Sequence, residues 1–308
     1  MEARRTDGLL LLDKPTGPTS HDMVTAVRKG VGAARAGHCG TLDPLASGLL
    51  VILLGTATRL APFVRGDPKI YEGSIVLGLT TDSMDIEGQV TSESDYTGGE
   101  AEVRDALASL EGELEQLPPM YSAVKYRGKP LHRYARKGEE VPRRARRVSV
   151  YSVEMLAFHR TGERMEVDFR VACSPGTYVR ELAARLGEAL GCGGALSRLR
   201  RTASGPFLLE HAHSLDELEK RGTAGDVILP ASSALRGHMS IEVEEAVVEA
   251  VCNGSQLEGS MLRRVDEGIV DGDIVAVHGG GKLLGVHRVI TASPFSSRAV
   301  RMLPGGNR

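Results

Sequence analysis

The chain has 308 residues, of which 41% are hydrophobic and 25% are charged, a composition typical of a soluble globular protein with a sizeable core. Its 38 Lys and Arg residues nearly balance 40 Asp and Glu residues, so the net charge of −2 does not by itself indicate a nucleic-acid binder. The longest aliphatic run, at residues 49–54, is far shorter than the roughly 20 residues of a membrane span. Composition therefore excludes transmembrane and collagen-like proteins.

The amino-terminal residues and the cysteines bear on location and on metal binding. Residues 1–15 contain four consecutive leucines but no small-residue cleavage site, so no secretory signal is predicted and a cytoplasmic protein is expected. Cys39, Cys173, Cys192 and Cys252 are scattered, without a C-x-x-C pair or a suitably spaced His. We therefore expect neither a disulfide framework nor a metal site.

Hydrophobic patterning predicts both strands and helices before residue 200. Strands are predicted at residues 8–12, 49–54, 69–79, 148–158 and 165–173. In the third of these, Tyr71, Ile75, Leu77 and Leu79 are expected to share one face. Helices are predicted from Thr19 or Ser20 to Arg28 or Lys29, at residues 101–110, and at residues 177–190. Hairpin-like strand pairs without strict βαβ alternation favour an α+β fold.

The last part of the chain changes character. A short helix is predicted at residues 243–252, followed by Gly-punctuated strands at 261–265, 273–278, 283–290 and 299–303. We therefore predict a domain of residues 1–237 and a small β-rich domain of residues 238–308. The run Gly279, Gly280, Gly281, Lys282 lacks the first Gly and the final Ser or Thr of a phosphate-binding loop, so a hairpin turn is expected there.

Charge is distributed unevenly along the chain. Residues 125–147 carry ten Lys or Arg against Glu139 and Glu140, which gives +8, whereas residues 82–117 upstream carry −10. A basic run is usually a solvated face, but here Tyr126 and Tyr134 add flat rings on which bases can stack. Gly and Pro residues favour a projecting loop with a short helix, about residues 122–150. We expect it to grip nucleic acid outside the pocket for the reacting group. The candidate cations are Lys125, Arg127, Lys129, Arg133, Arg136, Lys137, Arg143, Arg144, Arg146 and Arg147.

The densest local signal is G-H-C-G-T-L-D-P-L-A-S-G at residues 37–48, which leads into a buried strand. Pro44 excludes Asp43 from the helical region and holds it extended. A carboxylate is thereby fixed on a loop that abuts a rigid strand, a placement that suits a nucleophile or a base. Because Asp-Pro is also a common turn dipeptide, spacing alone leaves an ordinary turn open.

This segment resembles the signature of the TruB family of tRNA pseudouridine synthases, G-H-x-G-T-L-D-P. Further matches follow in the family's order: L-L-D-K-P-x-G at residues 11–17, K-x-Y at 69–71 with L-G-x-x-T-D at 77–82, P-P-x-Y-S-A at 118–123, G-K-P-L at 128–131, G-T-Y-V-R at 176–180 and L-R-R-T at 199–202. The resemblance spans about residues 8–207. The C-terminal strands resemble a PUA domain, a small RNA-binding β-barrel.

The resemblance implies a pseudouridine synthase fold, with a mixed, mainly antiparallel sheet flanked by helices and loops. It implies that residues 1–237 isomerise uridine 55 in the T-loop of tRNA, on a flipped-out nucleotide, by exchanging the N1 glycosidic bond for a C5 bond. Asp43 matches the family's essential aspartate, which either attacks C1′ or removes a 2′ proton, and the sequence does not choose between these mechanisms. No cofactor, metal, membrane or guide RNA is expected, and the protein is expected to act on the tRNA T-arm as a monomer.

Further roles follow from the same resemblance. Tyr71 matches a tyrosine that stacks on the uracil and is a candidate for helping to remove the C5 proton, and Arg180 matches an arginine that pairs with the catalytic carboxylate. Tyr178 and Leu199 match positions that line the base pocket. His38 matches the residue that fills or supports the T-loop after the nucleotide flips out. Lys14 is expected to support the pocket or to bind a phosphate. Without the resemblance, each of these residues would be interpreted as an ordinary core or surface residue.

Three other functions remain open at this point. A uridine isomerase of ribosomal RNA generally has Arg-Leu-Asp at the catalytic position, whereas this chain has Thr41-Leu42-Asp43. A tRNA-folding chaperone would not need the complete set of Asp43, Tyr71 and Arg180. A guide-dependent relative carries a similar Asp motif, but the basic segment favours direct binding of the substrate.

Overall fold

The computed structural model describes residues 6–220 and 227–303. The helices in these ranges are α1 (Ser20–Gly30), α2 (Glu100–Ala108), α3 (His132–Ala135), α4 (Val179–Ala189), α5 (Leu215–Lys220) and α6 (Val248–Cys252). The strands before residue 220 are β1 (Gly8–Lys14), β2 (Ala36–Cys39), β3 (Ala46–Leu54), β4 (Lys69–Leu77), β5 (Leu79–Thr81), β6 (Val90–Glu93), β7 (Gly112–Gln116), β8 (Lys125–Tyr126), β9 (Lys129–Pro130), β10 (Arg146–Thr161), β11 (Arg164–Cys173), β12 (Gly194–Ser204) and β13 (Phe207–Leu208). The strands after residue 227 are β14 (Ser240–Val243), β15 (Leu257–Glu258), β16 (Leu262–Val265), β17 (Ile274–Gly279), β18 (Lys282–Ala292) and β19 (Phe295–Met302). Within the two ranges, no helix combines the length and the apolar character needed to cross a membrane.

The larger sheet has the strand order β1-β3-β12-β4-β11-β10-β7, with β2 beside β3 and β13 beside β12. Its neighbouring strands are antiparallel except for β3 and β12, which run parallel where Ala46 lies opposite Leu199. The predicted α+β class and the mixed, mainly antiparallel sheet are thus confirmed. The parallel pair matters for function because it places the loop before β3 next to β12.

Strands β1 and β3 are covered on both faces. Leu9, Leu11, Leu49, Val51 and Leu53 lie in one hydrophobic cluster, together with Ala276 and Val286 from the C-terminal strands. Leu10, Leu12, Leu50, Ile52 and Leu54 lie in another, with Met23, Val24 and Val27 of α1. Burial on both faces explains why these strands are continuous aliphatic runs without alternation.

Strand β4 contributes Tyr71, Ile75 and Leu77 to a third cluster, packed against α2 and α4. The predicted strand at residues 69–79 is two residues too long, because the chain turns at Gly78 with φ of 80°. A Cβ atom at Gly78 would lie 2.1 Å from the carbonyl oxygen of Ser94, so only glycine fits. Leu79 therefore begins β5 and does not share the face of Tyr71.

The sequence analysis missed β12, which lies between β3 and β4 in the larger sheet. Its sequence, G-A-L-S-R-L-R-R-T-A-S, contains three arginines and reads as a polar segment. One of them, Arg201, is nevertheless fully buried. The strand was missed because a charged side chain inside the protein breaks the hydrophobic pattern on which the prediction depends.

The C-terminal strands form a second, nearly closed, barrel-like sheet with the order β15-β19-β18-β17-β14-β16 around its own apolar core. The four predicted strands are found there as β16 to β19, within a few residues of their predicted ends. The predicted helix at residues 243–252 is shorter, because Val243 ends β14 and Glu245–Val247 form a 3-10 helix before α6 begins. Gly279 pairs with Lys282 across a turn in which Gly280 and Gly281 have positive φ, so the expected hairpin is confirmed.

Candidate active site

A cavity of about 480 Å³, called the main cavity below, opens where the loop before β3 meets β4, β12 and the start of α4. This volume lies in the range of roughly 300–1,000 Å³ that is common for small-ligand sites. The predicted site residues Asp43, Tyr71, Tyr178, Arg180 and Leu199 all line it. His38 and Lys14 do not line it.

Asp43 and Arg180 form an ion pair in the wall of the main cavity. Nη2 of Arg180 lies 2.9 Å from Oδ2 of Asp43. The Asp43 side chain is 43% exposed, whereas the Arg180 side chain is 6% exposed. A carboxylate that is open to the cavity is thus held from behind by a buried cation, which fixes its orientation.

Arg180 is itself held by other groups of the protein. Its Nη1 donates to the carbonyl of Ser83 at 3.0 Å and lies 3.2 Å from Oδ2 of Asp85, and its Nη2 donates to the carbonyl of Tyr121 at 2.8 Å. Asp85 is buried and accepts a hydrogen bond from Ser83 Oγ at 2.6 Å. A second carboxylate therefore shares the guanidinium with Asp43. The sequence analysis gave Asp85 no role, because it lies in an acidic stretch that is typical of a surface.

Arg201 holds the backbone of the loop before Asp43. Its Nη2 donates to the carbonyl of Gly40 at 2.9 Å, and its Nη1 donates to the carbonyl of Thr41 at 3.4 Å. Its Nε donates to the carbonyl of Leu49 in β3 at 2.8 Å. A buried guanidinium thus ties the loop of residues 40–45, called the catalytic loop below for the role that we propose for Asp43, to the strand that follows it.

Ser20 and Lys14 hold the rest of this loop. Ser20 Oγ donates to the carbonyl of Leu42 at 2.8 Å and accepts from the Leu42 N–H at 2.9 Å. The ammonium of Lys14 donates to the carbonyls of Pro15 at 2.8 Å and Ala46 at 2.6 Å. Burial lowers the pKa of Lys14 to about 8. Because Lys14 is fully buried, it supports the loop and does not contact a phosphate, so its predicted place among the substrate-binding residues is corrected.

Aromatic and aliphatic side chains complete the wall. Tyr71 on β4 is opposite Arg201 on β12, whose guanidinium lies 6.0 Å from the centre of the Tyr71 ring. Burial raises the pKa of Tyr71, and Arg201 offsets part of that rise. The backbone of Tyr178 is fixed by Gln116, which accepts from its N–H at 2.8 Å and donates to its carbonyl at 3.2 Å. With Leu199, these rings provide a surface suited to a flat, uncharged ring next to the Asp43 carboxylate.

His38 lies on β2, outside the wall of the main cavity. Its Nδ1 is buried and has no hydrogen-bond partner among the residues that the structure describes. Burial, with the nearby Arg201, lowers the pKa of His38, so the ring is uncharged at neutral pH. Its role against an RNA loop stays a prediction. In the described part of the chain, no group of His, Cys, Asp or Glu side chains is arranged to hold a metal ion.

The basic segment, residues 122–150, is folded. Strands β8 and β9 form a hairpin whose turn residues, Arg127 and Gly128, have φ of 47° and 80°. The rings of Tyr126 and Tyr134 meet edge to face with centroids 5.9 Å apart, and the Arg127 guanidinium lies 5.4 Å from the centre of the Tyr126 ring. The predicted short helix is present as α3.

One expectation about this segment was wrong, namely that the whole of it lies outside the pocket. Lys125, the first residue of β8, and Arg146, the first residue of β10, both line the main cavity. Arg143 is only 16% exposed, since it binds Glu140 at 2.8 Å and the carbonyl of Pro118 at 3.1 Å. The remaining cations are exposed and lie outside the main cavity: Arg127, Lys129, Arg133, Arg136, Lys137, Arg144 and Arg147. A second cavity of about 430 Å³ is lined in part by Lys125, Arg143, Arg144 and Arg146.

Comparison with known proteins identifies the family. The model of the TruB family pseudouridylate synthase N-terminal domain matches residues 28–179, and that of the tRNA pseudouridylate synthase B C-terminal domain matches residues 180–236. The tRNA pseudouridine synthase B of Geobacillus kaustophilus is 47% identical over 258 residues, which cover 82% of this chain and 90% of that protein. The chain belongs to the TruB family. It is therefore an enzyme, a pseudouridine synthase, and such enzymes are isomerases.

A further TruB-family relative and two solved structures extend this comparison. The tRNA pseudouridine synthase B of Syntrophus aciditrophicus is 42% identical over 294 residues, covering 93% of this chain and 92% of that protein. A chain of an H/ACA RNP bound to a substrate RNA containing 2′-deoxyuridine superposes with a TM-score of 0.74 at 26% identity, covering 96% of this chain and 84% of that one. A chain of the archaeal box H/ACA sRNP Nop10-Cbf5 complex gives 0.73 at 26% identity, covering 98% and 89%. The predicted pseudouridine synthase fold with its PUA-like C-terminal sheet is confirmed.

Lys69 and Arg201 lie inside the motifs that carried the family resemblance, yet the sequence analysis gave them no role. A signal for Arg201 was present in the sequence. Arg200 and Arg201 are adjacent, and successive side chains of a strand point to opposite faces, so one arginine of a central strand has to face the interior. Arg200 binds Asp13 at the surface, and Arg201 is the buried one. The signal was missed because β12 was not recognised as a strand.

Proposed function

We propose that this protein converts uridine 55 in the T-loop of tRNA into pseudouridine, with Asp43 acting on the ribose of a flipped-out nucleotide. The observation that carries the proposal is the Asp43–Arg180 ion pair, which opens into a cavity walled by Tyr71, Tyr178 and Leu199 in a member of the TruB family. The names of the relatives, tRNA pseudouridine synthase B, support tRNA as the substrate.

The proposed mechanism assigns each step to a group in the main cavity. The Asp43 carboxylate either attacks C1′ or takes a 2′ proton while uracil departs, and both reactions need an anion that is open to the sugar. The uracil then turns between the rings of Tyr71 and Tyr178, C5 bonds to C1′, C5 loses its proton and N1 gains one. Because one bond moves within one nucleotide, no cofactor is required. Since its pKa is raised, Tyr71 enters the reaction as a protonated phenol, able to donate a hydrogen bond and to stack. If its hydroxyl helps to remove the C5 proton, it has to pass on its own proton as it takes up the one from C5.

We further propose that the basic segment grips the T-arm stem-loop and that His38 supports the loop after the nucleotide leaves the stack. In this proposal residues 1–237 are the catalytic domain and residues 238–308 a PUA-like RNA-binding domain. The protein acts as a cytoplasmic monomer without a guide RNA. What supports direct binding is the set of exposed cations at residues 127–147, which adjoin the main cavity through Lys125 and Arg146.

The test is incubation of the purified chain alone with an unmodified T-arm stem-loop, followed by digestion to nucleosides and detection of pseudouridine by chromatography and mass spectrometry, because pseudouridine and uridine have the same mass and must be separated first. We expect conversion of uridine 55 and none in a stem-loop with cytidine at that position. Asp43→Asn keeps the shape of the side chain and removes its charge, so this variant should bind the stem-loop and form no product.

Other results would point to a different function. Conversion that appears only after a second RNA is added would replace the stand-alone enzyme by a guide-dependent one. Conversion of ribosomal RNA fragments but not of the stem-loop would replace the substrate. Improved tRNA folding without pseudouridine would indicate a chaperone.

A further inference from the structure

Lys69 is the first residue of β4 and lines the main cavity. Its backbone lies opposite Cys173 in β11 and Ser204 in β12, inside the larger sheet. Because it precedes Tyr71 by two residues in the strand, it faces the same side of the sheet as that ring. Its ammonium lies against the catalytic loop, since a Cβ atom at Gly40 would be 2.5 Å from Nζ of Lys69.

The charge of Lys69 is not compensated by the protein, unlike that of the buried cations around it. Arg180 binds carboxylates, whereas Arg201 and Lys14 bind backbone carbonyls. Within residues 6–220 and 227–303, the ammonium of Lys69 has neither a hydrogen bond nor an ion pair. Its charged neighbour is Arg201, which repels it.

This arrangement is unfavourable for the free protein. Burial first, and the charge of Arg201 next, lower the pKa of Lys69 to about 8. Lys69 is partly buried, and an ammonium withdrawn from water without a partner destabilises the fold, so proteins keep such groups mainly where they are used. Since Lys69 lines the main cavity, as does Tyr71 two residues further along the same strand, its partner is to be sought in the substrate.

We propose that the ammonium of Lys69 binds the uracil anion that forms when the C1′–N1 bond breaks, which makes Lys69 a catalytic residue of the isomerisation. This inference rests on the function proposed above. In this step the electron pair of the C1′–N1 bond stays with N1 and is delocalised onto O2 and O4 of the ring. Lys69 keeps its proton and donates a hydrogen bond to one of these oxygens.

The proposal holds for either role of Asp43. If Asp43 attacks C1′, its negative charge is lost in the new ester bond, and if it takes the 2′ proton, its charge is neutralised. In both cases the charge moves from the carboxylate to the uracil, away from Arg180. A fixed cation at the place where this charge arrives stabilises the transition state more than the neutral substrate, which raises the rate without tightening binding.

A backbone phosphate is the other anion that a tRNA could present to Lys69. The position of Lys69 favours the base, because the residue is largely enclosed by the sheet and adjoins Tyr71, whereas the cations at the exposed rim, Lys125 and Arg146, are better placed for a phosphate. The phosphate is therefore treated as an outcome of the test.

The test compares Lys69→Met and Lys69→Arg with Lys29→Met, which removes an exposed lysine of α1 outside the main cavity. Single-turnover rates of consumption of the target nucleoside are measured, by chromatography of the nuclease digest before mass spectrometry, on stem-loops that carry either uridine or 5-fluorouridine. A fluorinated C5 has no proton to lose, so with 5-fluorouridine the reaction stops after C5 has bonded to C1′, and consumption of the nucleoside reports the breaking of the C1′–N1 bond. Fluorine at C5 stabilises the uracil anion, so the reaction then needs the cation less. We expect Lys69→Met to lower the rate with uridine by about 100-fold and to lower it much less with 5-fluorouridine. Lys69→Arg should keep most of the rate, and Lys29→Met should match the wild type.

Two further measurements separate catalysis from a structural role. Because Lys69→Met removes an uncompensated buried charge, it should raise Tm, whereas loss of a structural lysine would lower it. The wild-type rate should fall as the pH rises through about 8, where Lys69 loses its proton, and in Lys69→Arg this fall should move to higher pH. Lys14 titrates in the same range but is present in both proteins. The other titratable or charged groups near Lys69 are Arg201, Cys39, Cys173 and His38. The pKa of each thiol is raised to about 11, and the charge of Lys69 helps to lower the pKa of His38, so neither the thiols nor the imidazole titrates near pH 8.

Several outcomes would overturn the proposal. An equal loss of rate with both nucleosides would show that Lys69 does not act on the departing uracil. A loss of affinity, with the slope of log affinity against log salt smaller by about 0.7, would assign Lys69 to a phosphate. If the wild type does not convert the stem-loop, the proposed substrate is wrong, and the comparison of Lys69→Met with wild type is then made on unmodified total tRNA.

Discussion

At the scale of single residues, the site is built from buried charges that bind each other or backbone carbonyls. Arg180 joins Asp43 to the buried Asp85, and Arg201 binds the loop before Asp43. Asp43 is the member of this group whose charge faces the main cavity, where its side chain is 43% exposed. Of these four charged residues, Asp43 is therefore the one left available to a ligand in the cavity.

Tyr71 carries the first prediction, which separates the ring from its hydroxyl. Tyr71→Phe keeps the buried ring, so the affinity for the stem-loop should stay near that of the wild type. If the hydroxyl helps to remove the C5 proton, the variant should stall after glycosidic cleavage, with formation of pseudouridine slower by about 100-fold. Single-turnover assays with quenched intermediates measure this. Tyr71→Ala should lose affinity as well, and near-wild-type turnover in both variants would exclude Tyr71 from the site.

At the scale of elements, the catalytic loop has no regular structure of its own and depends on its neighbours. Arg201 of β12 holds the carbonyls of Gly40 and Thr41, and Ser20 of α1 holds Leu42. Each of these elements belongs to the sheet or packs on it. The loop therefore inherits the rigidity of β12, β1 and α1, as a site that must fix a carboxylate requires.

Arg201 provides a prediction with a control in the next residue. Arg201→Met leaves buried carbonyls without a donor, so the free energy of unfolding should fall by about 3 kcal/mol. Arg200→Met removes an exposed ion pair with Asp13 and should change it by less than about 1 kcal/mol. Denaturant titration of both variants measures the difference. In the Arg201→Met protein that is still folded, kcat should fall more than KM rises, because Asp43 is no longer fixed. Equal free energies of unfolding for Arg201→Met and Arg200→Met would show that Arg201 does not hold the loop.

The C-terminal sheet contains a buried histidine that makes it sensitive to acid. His287 in β18 is fully buried, with Nδ1 3.1 Å from Ser297 Oγ and with no partner for Nε2 among the described residues. Burial lowers the pKa of His287 to about 4. In the unfolded chain the ordinary value is about 6.5, so below that pH the unfolded state binds a proton that the folded state refuses.

Folding stability should therefore be lost as the pH falls from about 6.5 towards 4, and not above this range. At pH 5 the loss due to His287 amounts to about 2 kcal/mol. Thermal unfolding at pH 7.5 and at pH 5 checks this in the wild type and in His287→Leu, which cannot titrate. The variant should lose less stability between these two pH values. An identical pH dependence in the two proteins would show that His287 does not govern acid sensitivity.

At the scale of the whole molecule, segments of opposite charge meet. The acidic stretch ends in β7, which pairs with the start of β10, so that Glu115 lies opposite Arg147. Acidic and basic stretches therefore adjoin in the sheet, while the hairpin cations Arg127 and Lys129 extend beyond it into solvent. A net charge of −2 conceals this polarity, which suits a protein that orients a polyanion towards one side.

The hairpin cations give the prediction at this scale. If Arg127 and Lys129 contact phosphates, replacing both by Gln should reduce the slope of log affinity against log salt by roughly 1.5. Replacing Arg28 and Lys29, exposed at the end of α1, by Gln removes the same charge and should leave the slope nearly unchanged. Affinity for the stem-loop across a salt series measures both. Equal slopes in the two double variants would show that these cations are only solvated surface residues and do not contact phosphates.

Local sequence was sufficient to predict the elements whose hydrophobic pattern agrees with the faces that they bury. The aliphatic runs of β1 and β3 were predicted, and the start of α1 was placed at Thr19 or Ser20, because adjacent residues alone specify these features. The same reasoning failed at Gly78, where the carbonyl of Ser94 blocks a side chain, and at β12, where Arg201 enters the interior. In both cases the deciding neighbour is distant in sequence.

The family motifs likewise named Asp43, Tyr71, Tyr178, Arg180 and Leu199, and the main cavity contains all of them. Only the tertiary structure shows that Asp85 forms an ion pair with Arg180. Likewise, only the tertiary structure shows that the ammonium of Lys69 lies next to Gly40 without a hydrogen bond or an ion pair among the described residues. The reason is physical. A sequence motif specifies which side chains are present. Contacts between the catalytic loop and β4, β12 and α4 depend on the order of the strands in the sheet. The energy of a buried charge depends in turn on the charges and hydrogen-bonding groups that surround it in the folded chain.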